Sequence, residues 1–330
     1  MSYDPTRLLA SEDVTNANWP LISIVTPCLN GLPFIHEAIQ RVLDQGYPNV
    51  EHIVVDGGST DGTLELLEQF PRVRVVGGPD KGVYDALNKG ILLASGEIVG
   101  LLNTDDLYAK DALILVGRRF SQREDLLMVC GEAIVFRTHP EDGWIRLSKH
   151  TKARKTWASP RSLLLGKPFI NSRFFRRRIF DETGLFDTRY RFAADRDLLI
   201  RMALRDIKVA YVDRLLYHYR KHPGSLTINP LGPNVYRMRQ EHISLAQRYI
   251  RRADLPNDVR AYLRQWHSRE ALEMVLFHIR RGETREAMAH VRTGWLWDRS
   301  WPLQAASWVL RKAGRAVVPQ PKTASMTSKP

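Results

Sequence analysis

Cysteine is scarce in this chain: Cys28 and Cys130 are the only two among 330 residues. Each lies in an apolar segment, so neither a disulfide framework nor a cysteine metal site is expected, and a reducing compartment fits. Long apolar runs are also missing, since no uninterrupted stretch approaches the roughly 20 residues that span a bilayer. The opening "MSYDPTRLLASEDVTNANWP" has no charged start followed by an apolar run, and it is not read as a signal peptide. There is no GxGxxG fingerprint and no P-loop, which disfavours a dinucleotide oxidoreductase or an ATPase. Zinc-finger and RNP signatures are absent as well, and nucleic acid is not an expected partner. A cytoplasmic protein follows, either free or peripheral on the cytoplasmic face of a membrane.

Positive charge is abundant. Lys and Arg number 49 against 36 Asp and Glu, a formal net charge of +13. Such an excess suits either a solvated basic surface or an anionic partner. It is visible in "FFRRRIF" and through the last third of the chain.

The apolar pattern supplies the fold class. "LISIVTPCLN" reads as a buried strand running into a loop, and "PFIHEAIQRVLDQ" as an amphipathic helix with Pro33 at a permitted start. "EHIVVD" ends in a Gly-Gly turn, after which Ser59, Thr60 or Asp61 is placed to cap a helix. "RVRVVGG", "GVYDALNKGILLAS" and "GEIVGLLNTDD" continue as strand, helix and strand. Alternation from Leu21 to Asp106 predicts βαβ units, hence a parallel sheet covered on both faces. Beyond Asp106 the pattern is mixed: "LLMVCGEAIVF" and "DGWIRLS" read as strands, and "PFINSRFFRRRIF" leads into a helix start. "ADRDLLIRMALRD" reads as a helix and "KVAYVDRLLYHYRKHPGSLT" as a last strand with a polar tail. The divisions are a lead over 1–19, an α/β domain over 20–228, a basic Trp-containing helical extension over 229–317, and a disordered tail over 318–330.

Ligands in open α/β sheets sit outside the carboxyl ends of the strands. Asn30, Asp56, Asp80 and Asp105 all fall at or just after predicted strand ends. Asp105 and Asp106 pose the sharpest question, because neighbouring carboxylates repel and resist desolvation. Either they cap a helix beginning near Ala109, or they hold a hard divalent cation, Mg²⁺ or Mn²⁺.

Four segments together carry a resemblance: "SIVTPCLNG", "VVDGGSTDGT", "PDKGVYDALNKGILLASGEIVGLLNTDD" and "RFAADRDLLIRM". In order and spacing they resemble the family 2 glycosyltransferases of GT-A fold, over roughly Pro20 to Ser225. The resemblance implies a Rossmann-like, mixed and mostly parallel sheet with helices on both faces. It implies transfer of a sugar from a nucleotide diphosphate, with UDP favoured, to an acceptor hydroxyl, with inversion and with Mn²⁺ or Mg²⁺. Carried over, Pro27, Asn30 and Asp56 lie where the nucleoside is held, and the loop of Asp80 and Lys81 covers it. "NTDD" stands at the family's DxD motif. Asn103 replaces its first acid and lies on the donor side, Asp105 makes the main metal contact, and Asp106 supports it. "FAADRDLL" stands where the family carries its general base, so Asp195 is the first candidate and Asp197 the second. For one of them a simple role in the first turn of a helix competes. "YHYRKHPGS" resembles the family's final motif, with Arg220 toward the diphosphate and His222 toward the metal; the alternative is plain surface. "INSRFF" lies where relatives often have His-Gln in the acceptor pocket, and this chain lacks that pair.

The extension "GWLWDRSWPLQAASWVLRKAGRAV" mixes Trp, Leu and Val with Arg and Lys. It is read either as an interfacial amphipathic helix on anionic lipid or as a subdomain packing its aromatics on the catalytic domain. The expected acceptor is a glycan, free or linked to a polyprenyl diphosphate, in surface polysaccharide or glycolipid assembly. Two rival functions remain open: a sugar nucleotidyltransferase, and a non-catalytic module that binds anionic lipid or nucleic acid.

Overall fold

The computed structural model describes residues 19–139, 143–150, 169–225, 232–302, 306 and 325–326. The expected lead and disordered tail fall almost wholly outside these residues, as does most of the final expected helix, "PLQAASWVLRKAGRAV".

Four strands form the parallel core: β1 (Ile22–Cys28), β2 (Val50–Asp56), β3 (Val73–Gly77) and β4 (Ile98–Leu101), in the order β4-β1-β2-β3. Between them run α1 (Ile35–Leu43), α2 (Thr63–Leu67) and α3 (Val83–Leu93). β1 is buried at all seven positions, as a parallel strand covered on both faces must be. Its alternate residues enter different cores. Ile22 and Ile24 pack with α1 and with Leu113, Val116 and Phe120, while Val25 packs with Ala86, Leu87 and Ile91 of α3.

The second half adds mostly antiparallel pairing. β5 (Leu107–Tyr108) and α4 (Ala112–Ser121) precede the long β6 (Met128–His139), followed by β7 (Gly143–His150) and β8 (Arg173–Arg176). β8 pairs antiparallel with both β4 and β6, and a two-residue β10 (Ser325–Met326) pairs with β7. "RFFR" is thus a strand ahead of the helix start. Phe174 and Phe175 point alternately into the two cores, and α5 (Ile179–Thr183) begins after them. Nor is "FFRRRIF" all surface charge, since the Arg176 side chain is largely buried and bonds the Leu126 and Phe120 carbonyls.

α6 (Ala194–Ala203) leads to β9 (Val209–Arg220), which runs parallel to β6 and pairs antiparallel with β5. α7 (Pro233–Ile250), α8 (Asn257–Arg280) and α9 (Thr284–Trp297) follow β9. Ala193 and Ile200, at and within α6, share a core with Leu245, Tyr249, Leu263 and Trp266 of α7 and α8. The helical extension therefore packs on the segment that carries Asp195.

Candidate active site

The carboxyl ends of β1, β2 and β3 are level, with Cys28 opposite Asp56 and Asp56 opposite Gly77. The Asp56 carboxylate is buried. It accepts the backbone N–H groups of Gly58 and Ser59 at 2.9 and 2.7 Å and the Ser59 hydroxyl at 2.6 Å. Ser59 therefore serves the strand end rather than capping α2. Asn30, in the left-handed region at φ 53°, accepts the Thr60 N–H on its amide oxygen at 2.9 Å. The β1 and β2 loops are thereby tied together. Asp80 lies over the turn, where any side chain at Gly57 would collide with its carboxylate, and it accepts the Gly82 N–H at 2.8 Å. Lys81 is exposed, and its backbone N–H donates to Asp85 at 3.0 Å. Burial, then the Asp56 charge, pushes the Cys28 thiol up to about 12, which removes it as a nucleophile.

β4 stops three residues short of β1, since Leu101 lies level with Val25. The "NTDD" turn thus crosses over the end of β1, where the Thr104 hydroxyl donates to the Pro27 carbonyl at 3.2 Å. β5 follows at once, whereas α4 begins only at Ala112 with Asp111 before it. Neither Asp105 nor Asp106 caps a helix, so their placement needs another account.

β9 supplies that account. Leu107 pairs with His218, which brings Arg220 back beside the acidic turn. Asp106 has no exposed surface. It accepts the Tyr217 hydroxyl at 2.7 Å, the Arg220 N–H at 2.7 Å and the Asn103 amide at 3.0 Å. Burial, then the charge of Asp105, holds its carboxyl well above the usual range. Asn103 explains a local choice: an acid there would face Asp106 as a like charge, whereas the amide donates to it. The Arg220 guanidinium is 3% exposed and bonds the Asp105 carbonyl at 2.8 Å, the Thr138 hydroxyl at 3.2 Å and the Glu37 carboxylate. It also stacks among Phe34, Phe136 and Trp144. Asp105, unlike Asp106, keeps access to solvent, its side chain 28% exposed and its carboxylate 2.8 Å from His222 Nε2. His222 rests against the Phe34 ring. His218 is buried against Trp144 and Phe136, and burial lowers its imidazole to about 4.

Among the described residues no three His, Cys, Asp or Glu side chains form a ready metal cluster. The donor set nonetheless fits a hard divalent ion that shares its shell with a substrate. One carboxylate and one imidazole converge, and such ions are commonly held by one or two carboxylates plus phosphate oxygens.

Asp195 and Asp197 occupy the first turn of α6. Asp197 is 2% exposed and is engaged by Arg201 at 2.8 Å and the Tyr249 hydroxyl at 2.9 Å. Asp195 is half-buried and accepts the Arg196 N–H at 2.6 Å. Removal from water raises its carboxyl above the ordinary aspartate range, against the opposing charges of Arg196 and His242. Tyr84 of α3 lies against it, and burial followed by the Asp195 charge raises that phenol. Reciprocal bonds of 2.9 Å between Asn88 and the Phe186 backbone fasten α3 to the loop before α6. Glu241 of α7 then grips that loop, its carboxylate accepting the N–H groups of Arg191, Phe192 and Ala193 at 3.0, 2.7 and 3.0 Å.

The Asp105 and Asp195 groups are held by different partners. Glu37, Tyr84, Tyr217, Glu241 and Tyr249 had not been singled out from sequence. Tyr217 was within reach, because period-two alternation along "YHYR" puts residues 217 and 219 on one face and 218 and 220 on the other. Glu241 carries no local signal.

Comparison with known proteins supplies the family. The family model described as "Glycosyl transferase family 2" matches residues 23–197, more than half of the chain. The "Uncharacterized glycosyltransferase EpsJ" of Bacillus subtilis is 29% identical over 227 residues, which cover 65% of this chain and 65% of that protein. The "PGL/p-HBAD biosynthesis glycosyltransferase" of Mycobacterium bovis is 33% identical over 190 residues, 55% of this chain and 69% of that one. Among solved structures, the mannosyltransferase PcManGT from Pyrobaculum calidifontis, in complex with GDP-Man and Mn²⁺, superposes with a TM-score of 0.58. It is 18% identical and covers 95% of this chain and 88% of that one, a likeness of fold. The sheet and its helices are those of GT-A glycosyltransferases, and the chain belongs to glycosyl transferase family 2.

Proposed function

We propose that this chain is a metal-dependent, inverting glycosyltransferase that moves a sugar from a nucleotide diphosphate to an acceptor hydroxyl. The observation that carries this reading is the Asp105–His222 pair, a partly exposed contact beside the buried Asp106 and Arg220 at the carboxyl end of the sheet. Asp105 and His222 hold Mn²⁺ or Mg²⁺, and Asp106 fixes the turn that presents Asp105. The ion supplies charge neutralisation for the departing nucleoside diphosphate. Pro27, Asn30, Asp56, Asp80 and Lys81 frame the nucleoside through the joined β1 and β2 loops and the turn above them. Asn103 and Arg220 shape the diphosphate side from beneath, through Asp106 and the Asp105 carbonyl.

Asp195 is the general base. A carboxyl held above its ordinary range is a stronger base once ionised, and it needs only reach of the acceptor hydroxyl. Asp197, already saturated by Arg201 and Tyr249, positions α6. An inverting displacement needs one base and no enzyme nucleophile.

UDP is favoured as the nucleotide by the family resemblance, and the Pyrobaculum complex with GDP-Man makes guanosine the competitor. The relative named for PGL/p-HBAD biosynthesis supports a glycolipid or surface-glycan acceptor, including one carried on a polyprenyl diphosphate. No helix among the described residues is long and apolar enough to cross a membrane. Peripheral contact with the cytoplasmic face through the C-terminal helices brings the enzyme to such an acceptor.

The test is hydrolysis of UDP- and GDP-sugars with Mn²⁺, Mg²⁺ or chelator, comparing wild type with Asp105→Ala. Slow metal-dependent release of nucleoside diphosphate from one donor, lost in the variant, is expected. If no nucleotide sugar binds by calorimetry, the reading fails.

A further inference from the structure

We infer that the outer face of α9 is the docking surface for an anionic lipid bilayer, an inference that rests on the membrane-proximal reading above. Arg285, Met288, Arg292, Trp295 and Leu296 recur at helical spacing, Arg299 in the turn after the helix folds back over Trp295, and all six are exposed. Met288, Trp295 and Leu296 are 55%, 47% and 70% exposed, a large apolar display for one short helix. This stripe is not unfinished core. The opposite face of α9 is already packed, with Ala287 and Val291 against Leu272, Val275 and Trp301. Gly294 lies so close beneath Trp301 that a Cβ there would sit 2.6 Å from its ring.

Charge selects the occupant. Three arginines flank the apolar centre, and the acids near this helix are directed elsewhere. Glu283 engages Arg281 and His278, and Asp298 engages Ser268 and Ser300. Glu286 lies off the stripe by helical position. Among the described residues no salt bridge joins Arg285, Arg292 or Arg299 to an acid, and Arg299 lies 4.0 Å over the Trp295 ring. A second copy of the chain meeting this face about a two-fold axis would set arginine against arginine, a repulsive pairing. A convex stripe of Trp, Leu and Met bordered by guanidinium groups suits an interface of acyl chains and phosphate headgroups.

The experiment is co-sedimentation of the full chain with phosphatidylcholine vesicles and with equimolar phosphatidylcholine/phosphatidylglycerol vesicles, at two salt concentrations. Binding is expected only to the anionic vesicles and should weaken with salt. Trp295→Ser with Leu296→Ser should lower the partition coefficient at least about tenfold. Arg285→Gln, Arg292→Gln and Arg299→Gln together should lower it by about 100-fold, from three membrane-facing charges. Donor hydrolysis in vesicle-free buffer should be unchanged in both variants, which shows that they fold. Wild-type binding no stronger to anionic than to neutral vesicles overturns the inference, as does undiminished binding by the variants. A wild-type dimer that the Trp295/Leu296 variant converts to monomer, with vesicle binding intact, overturns it in favour of self-association. Absent vesicle binding by the wild type with intact donor turnover sinks this inference alone, and wild-type vesicle binding without any nucleotide-sugar binding sinks the transferase reading alone.

Discussion

The strand-end acids Asp105–Asp106 and the helix-start acids Asp195 and Asp197 are built on the same plan. In each pair one carboxylate is buried and bonded by a tyrosine hydroxyl and an arginine group from the surrounding fold. For Asp106 these are Tyr217 and the Arg220 backbone; for Asp197 they are Tyr249 and the Arg201 guanidinium. In each pair the other carboxylate keeps some exposure and few partners. Neighbouring charges are tolerated because the scaffold satisfies one, which leaves the other to be balanced by what binds. Under the proposed roles, the division would separate positioning from chemistry within two residues of sequence.

The comparison breaks most visibly if the wrong member of a pair proves indispensable. Asp195→Asn should reduce kcat by up to about 10⁴-fold while donor binding persists, the scale of a lost general base. Asp197→Asn should act on the melting temperature more than on turnover. Equal losses of kcat in the two variants would dissolve the distinction. At the strand end, Asp105→Ala should lower turnover by about 10³-fold and abolish the response to Mn²⁺, from several kcal/mol of charge stabilisation. Asp106→Asn should instead destabilise the fold by about 1–3 kcal/mol, because its single amide oxygen can serve either the Arg220 N–H or the Tyr217 hydroxyl and the NH2 then meets a buried donor. Chemical denaturation measures that difference.

Smaller effects probe how α7 holds the second pair. Glu241→Gln removes the charge that three loop N–H groups share, and about 1 kcal/mol of stability should go with it. A several-fold fall in kcat with an unchanged donor KM should accompany it, since the loop sets the first turn of α6. Unchanged kcat would mean that Glu241 only fastens the extension.

The parallel half of the fold was legible because its information is local. Strand burial, helical spacing and Gly-rich turns occur within a few residues of one another from Leu21 to Asp106. The antiparallel half was less so. β8 passed for part of a helix start because "RFFR" is four residues long and its pattern makes sense only once both cores exist. The site behaves alike. That Asp105 stands at a strand end is readable locally, but the inward turn of Asp106 depends on Tyr217, 111 residues away. Asp197 depends on Tyr249, 52 residues away. Composition also failed to sort the tryptophans: Trp266 is fully buried, whereas Trp295 is exposed. Neighbours distant in sequence decide between those fates.

The finest test concerns pH. Asp195 must be ionised to accept a proton, and removal from water raises its carboxyl above the usual aspartate value. The acid limb of kcat/KM should therefore lie above the position of an ordinary aspartate, with activity rising as pH rises through it. Three groups face this carboxylate: Arg196 beside it, Tyr84 from α3, and His242 from α7. A protonated His242 favours the ionised form, so His242→Gln should move the limb to higher pH while leaving the plateau rate nearly unchanged. Asp195→Asn should erase the limb. A limb that stays in place in His242→Gln would mean that solvent screens the pair. One that survives in Asp195→Asn would assign the titration, and the role of base, to another group.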